Sequence, residues 1–116
     1  MAFLEPQKFN ILPPVVKNLL IINVLLFLAT IVLYNSNIID LTSVFGLHYW
    51  QSDDFETWQI ISHMFMHGGF FHLFFNMFAV WMFGSQLENL WGSKRFLNYY
   101  ILTGIGAAFL HFLIIH

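Results

Sequence analysis

The chain has 116 residues, 59% hydrophobic and only 9% charged, where ordinary soluble domains carry roughly a quarter charged residues. With 15 Phe, 4 Trp and a mean hydropathy of +0.71, it suits a lipid bilayer and excludes disordered and collagenous classes. A formal charge of -2 leaves no basic face for nucleic-acid phosphates, and the lack of cysteine removes disulfides, thiolate metal sites and cysteine nucleophiles.

Residues 1–14 read as a retained N-terminal tail, since no small-residue cleavage site follows an apolar stretch. Pro13-Pro14 resets the backbone, because proline fixes its own φ and turns the residue before it away from helical geometry. A first membrane helix is predicted over 15–34, apolar except for Asn18, Asn23, Thr30 and a Lys17 that can snorkel to the interface. Asn35-Ser36-Asn37 ends it. Residues 38–58 then hold Asp40, Asp53, Asp54 and Glu56 together with Tyr49, Trp50 and Trp58, the composition of a polar loop with interfacial aromatics.

Two further apolar runs predict membrane helices over 70–87 and 96–115, each long enough for about 27–30 Å of rise. Glu88 to Arg95 reads as the tight connection between them. All four cations, Lys8, Lys17, Lys94 and Arg95, flank one predicted side, which places the N-terminus and the 88–95 turn in the cytoplasm. Gly104 and Ala108 in the third run have the small-xxx-small spacing that lets helix backbones approach closely.

Polar residues in membrane helices are costly unless paired, and here they are concentrated. His63, His67, His72 and Asn76 follow one another at steps of four, five and four. His72 and Asn76 lie one turn apart on a shared helix face. One reading is a polar pair that joins two helices by hydrogen bonds. The other is an oxyanion hole, since an imidazole N–H and a carboxamide NH₂ are neutral donors suited to a developing negative charge. His63 and His67 have the i, i+4 spacing of helical zinc ligands, but no carboxylate or thiolate accompanies them; structural hydrogen bonding is the competing reading. Gly68-Gly69 makes one straight helix through all four doubtful. His48 and His111 read as isolated structural or interfacial histidines. Glu88, one turn after Gly84, is placed either to reach across a close helix contact or to be solvated at a helix end.

The string from His63 to Ala108 resembles the front half of a rhomboid intramembrane serine protease. The likeness rests on His63 and His67, the His72-x-x-x-Asn76 pair, Phe83-Gly84, Leu87-Glu88, Gly92-Ser93 and Arg95-Phe96 in order, and it extends over about residues 15–113. It implies an all-α membrane protein whose three transmembrane helices belong to a six-helix bundle, with 15–116 a partial rhomboid membrane domain. It implies oxyanion stabilisation for His72 and Asn76 and structural roles for His63, His67 and Glu88. It implies no metal and no cofactor, membrane protein substrates and a multi-pass protein of the lipid bilayer; the lack of a targeting segment and the compact loops suit a bacterial inner membrane.

The family's Gly-x-Ser-Gly nucleophile motif does not occur in these residues, and no later helix supplies the base histidine. Ser85 and Ser93 do not replace it, because each is expected in the cytoplasmic half of the bundle, away from His72. The expectation is therefore the N-terminal part of a serine endopeptidase, inactive by itself. An inactive rhomboid-like binding or chaperone module and a histidine-rich membrane metalloprotein are the alternatives.

Overall fold

The computed structural model describes residues 9–114, so most of the expected tail and Ile115, the last residue of the expected third helix, lie outside the described residues. Three helices, each of 22 residues, are long and apolar enough to cross a membrane: α1 over Pro14–Asn35, α4 over Phe70–Trp91 and α5 over Ser93–Ile114. Two short helices, α2 over Leu41–Phe45 and α3 over Gln59–Ser62, lie in the connection between α1 and α4. No strand occurs among the described residues.

Both ends of α1 follow from its sequence. Pro13 is the cap and Pro14 the first helical residue, so two of the four N–H groups that a helix start leaves unpaired do not exist. At the other end Asn37 takes the left-handed conformation at φ 58, with Asn37 N–H donating to Tyr34 O and Ile38 N–H to Leu33 O. That pair of bonds satisfies carbonyls otherwise left open at the C-terminus.

The expected loop over 38–58 is more structured than its composition implies. Asp40 accepts from Thr42 N–H at 3.1 Å and starts α2. Gln59, 1% exposed, is the organiser: its amide donates to Val44 O at 3.2 Å and Asp54 O at 3.1 Å, and its carbonyl accepts from His48 N–H at 3.2 Å. One buried carboxamide thus satisfies three main-chain groups that no ladder or helix serves. After α3 the chain tightens into a 3₁₀ turn over His63–Phe65, extends at Met66 and Gly69, and restarts as α4 at Phe70.

Helix α4 runs four residues beyond its expected end at 87, α5 begins three residues before 96, and the expected connection over 88–95 shrinks to Gly92. The reason is that the polar side chains at this end are used inside the fold. Asn89 accepts from Asn10 N–H at 2.9 Å and donates to Asn10 O at 2.8 Å, while Trp81 and Ser85 donate to Ile11 O at 3.0 and 3.2 Å. The helix therefore continues until Gly92, whose φ of 89 favours glycine, reverses the chain. Asn10 and Ile11, expected as tail, are pinned along α4 by the same bonds.

A π-helical turn over Val80–Gly84 interrupts α4. One extra residue in a turn rotates everything downstream by about 100° relative to an unbroken α-helix. Helical periodicity counted from Asn76 therefore misplaces Glu88, and the segment that carries it faces α1. The three long helices meet at Gly84, where an added Cβ would lie 3.0 Å from Phe96 Cζ and 3.2 Å from Val16 Cγ2. Around that crossing Val16, Leu19 and Phe96 form a small buried core flanked by Val80, Leu87 and Tyr100. Most other apolar side chains point outward, as Leu25, Phe71, Phe75 and Leu110 do, which suits hydrocarbon and not water.

Candidate active site

The polar constellation is assembled by the break between α3 and α4. From the 3₁₀ turn, His63 Nε2 reaches Gly104 O in α5 at 3.3 Å. Gly104 makes that approach available, because a Cβ there would occupy the space of the Met64 side chain. After the break His67 turns back onto the first turns of α4. Its Nε2 lies 2.9 Å from Asn76 Nδ2, and its ring stands edge-on to His72 with centroids 5.1 Å apart. A straight helix could not have made these contacts.

His67 is 5% exposed, Asn76 is half-buried and His72 is exposed. Asn76 therefore pairs with His67 across the break, whereas the sequence reading put it beside His72 alone. If the carboxamide N–H donates, His67 accepts at Nε2 and carries its proton at Nδ1, a buried atom with no hydrogen-bond partner among the described residues. The imidazoles of His63, His67, His72 and His111 line one cavity of about 400 Å³, with Met66 and Ala107 completing part of its wall. Burial holds His63 below the ordinary histidine range, against the opposing effect of its bond to Gly104, with His111 adding to the lowering. Burial lowers His67 likewise, and neighbouring His72 adds to it. His111, expected to be isolated, joins this cavity; His48 does not, its Nε2 bonding to Ser43 O at 2.7 Å.

The i, i+4 chelate that the spacing of His63 and His67 allows is not formed. The backbone changes from 3₁₀ to extended between them, and each ring turns to a different partner. Among the described residues no three of His, Cys, Asp and Glu gather closely enough to hold a metal ion.

Glu88, 3% exposed, lies at the other end of α4. Its carboxylate accepts from Val15 N–H at 2.9 Å, Val16 N–H at 2.8 Å and Ser93 Oγ–H at 2.6 Å. These are the two N–H groups of the α1 start that the prolines leave unpaired. Lys17 N–H already bonds to Pro13 O, so Glu88 completes the cap. It ties the first helix to the second and third at a place remote from the histidines.

Residues 54–116 match the Rhomboid domain, more than half of the chain. The chain belongs to the rhomboid family. It is an integral membrane protein, with three helices fit to span the bilayer. It is 32% identical over 99 residues to the putative rhomboid protease YdcA of Bacillus subtilis, covering 85% of this chain and 49% of that protein. It is 40% identical over 50 residues to the rhomboid protease GluP of the same organism, covering 43% of this chain and 10% of that one. The RHOMBOID-like protein 5 of Arabidopsis thaliana is 38% identical over 53 residues, 46% of this chain and 17% of the relative. The chain thus spans at most about half the length of these curated relatives. No solved structure matches.

Gln59 has no place in the sequence reading, and Asn23 appears there only as a polar exception in an apolar run. Gln59 was part of no motif, although a lone amide between Trp58 and Ile60-Ile61 is the kind of polar group that must find partners when buried. Asn23, fully buried in α1, donates to Leu19 O at 2.7 Å and leaves its Oδ1 without a partner among the described residues.

Proposed function

We propose that this chain supplies the oxyanion-stabilising part of a rhomboid-type serine endopeptidase that cleaves membrane-embedded proteins. The observation that carries the reading is the gathering of His72 and Asn76, with His67, at the start of a membrane helix in a rhomboid chain. In this reading the acyl-transfer step develops negative charge on a carbonyl oxygen, and the His72 ring N–H and one Asn76 N–H donate to it. The nucleophilic serine and the base histidine come from outside these 116 residues. His63 and Glu88 are structural, one tied to α5 and the other to α1. The N-terminus and Gly92 turn face the cytoplasm of a bacterial cell, with the residue 38–58 connection on the opposite side of the inner membrane.

The test uses the protein that contains this chain together with its Gly-x-Ser-Gly serine, acting on a single-span reporter substrate. His72→Ala and Asn76→Ala are each expected to lower kcat by about 10²-fold, with a much smaller change in KM. Normal turnover, or activity that falls only in proportion to the folded fraction in a detergent melt, refutes the oxyanion role. If the protein carries no Gly-x-Ser-Gly and takes up no fluorophosphonate, the inactive rhomboid-like binding module is the correct reading.

A further inference from the structure

Asn76 has a requirement that a simple helix-borne carboxamide does not meet. The terminal torsion of asparagine is broad and roughly two-fold, so an unheld amide turns easily and presents its oxygen as readily as its nitrogen. An oxygen aimed at a developing oxyanion repels it. A donor role therefore needs a second group that recognises the NH₂ end and keeps it in place.

Such a group is present. The His67 Nε2 lies 2.9 Å from Asn76 Nδ2, and only a lone pair on that ring nitrogen can accept the amide proton. We propose that His67 is the positioning residue for Asn76: held as the neutral Nδ1–H tautomer, its Nε2 accepts one carboxamide N–H and leaves the other for the oxyanion. This inference rests on the oxyanion reading above and adds to it a residue that touches no reacting atom.

The surroundings of His67 favour a neutral ring over imidazolium, and the Asn76 contact selects the tautomer. The ring is nearly inaccessible, and its Nδ1 is buried with no hydrogen-bond partner among the described residues. A charged ring would set N–H against N–H at Asn76. The titratable groups around it are all imidazoles: His72 from α4 edge-on at 5.1 Å, and His63 and His111 across the cavity from the 3₁₀ turn and α5. No carboxylate among the described residues lines that cavity to favour imidazolium. Burial first and His72 second oppose protonation, and together they outweigh the Phe65 main chain, which favours it.

The test combines kinetics with a direct view of the ring. In the active protein that contains this chain, His67→Leu is expected to lower kcat about tenfold with KM within about twofold, because the amide is freed to turn. His67→Gln, whose carbonyl oxygen can take the place of Nε2, is expected to keep kcat within about threefold of the parent. The double variant with Asn76→Ala should be no slower than Asn76→Ala alone, as residues acting through one another are not additive. Long-range ¹H–¹⁵N spectra of histidine-labelled protein at pH 7, assigned with His67→Gln, should show His67 protonated at Nδ1 and bare at Nε2. A protonated Nε2 overturns the proposal, as does a normal kcat in His67→Leu beside an impaired Asn76→Ala. So does an equal loss on adding His67→Leu to Asn76→Ala, which marks a merely structural ring. Normal turnover in Asn76→Ala refutes the oxyanion reading itself, while the spectra still decide the His67–Asn76 bond.

Discussion

Replacing Glu88 by alanine should be among the most damaging single changes in this chain, although Glu88 is distant from the histidine cluster. The magnitude follows from its three acceptor contacts. Ser93 is exposed and its hydroxyl can turn to solvent, so that bond adds little. Val16 is fully buried, and its N–H would have no alternative acceptor within helix α1, since Pro13 O is already taken by Lys17 N–H. Val15 N–H is part-buried and in the same position. An unsatisfied buried donor costs about 1–3 kcal/mol, so losing both acceptors at once should destabilise the fold by roughly 2–5 kcal/mol. Removing the favourable charge at the α1 N-terminus adds to the upper part of that range. Glu88→Gln should lose less, about 1–3 kcal/mol, because one carbonyl oxygen still accepts while the new NH₂ opposes an N–H donor. The assay is reversible unfolding in detergent micelles, or steric trapping in bicelles, with the two variants compared in parallel. A Glu88→Ala protein within about 0.5 kcal/mol of the parent refutes the capping argument, since that is the scatter of an ordinary surface change.

The crossing at Gly84 should be nearly as sensitive to volume. Gly84→Ala pushes a methyl group against buried Phe96 and Val16 and should cost about 1–3 kcal/mol in the same unfolding assay, and an unchanged midpoint would mean that the three helices do not meet there. Stability should also depend on pH through His63 and His67, both of which bind protons less readily folded than unfolded. Their contribution is intact above the unfolded pKa of about 6.5 and is lost as the pH falls below it, so melting should drop on acidification and His67→Gln should blunt the drop. A melting temperature that is flat from pH 8 to 5 contradicts this. For the orientation, cysteines introduced at Asp53 and Lys94 should react with an impermeant reagent from opposite faces of intact cells; labelling of both from outside reverses the assignment.

Composition and spacing by themselves determined the class of this protein. Three apolar runs between charged or proline-marked boundaries can satisfy their backbones in hydrocarbon only as helices, and the observed spans differ from the expected ones mainly at their ends. The His72-x-x-x-Asn76 spacing likewise put two donors at the start of the second span, because a one-turn separation is a property of the helix itself. What the sequence left open was every contact made across a break in helical geometry. His67 meets Asn76 only because the chain extends between Met66 and Gly69 and folds back, and a residue count across such a segment predicts no distance. Glu88 faces α1 after a π turn over Val80–Gly84 has rotated the end of α4, a phase change with no signature in the residues involved. The turn at Gly92 is one residue long because Asn89 and Glu88 found partners on the N-terminal segment, some seventy residues away in the chain. Local periodicity specifies which residues are helical, whereas the partners of buried polar groups are specified by tertiary packing, which alone decides where an unpaired donor meets its acceptor.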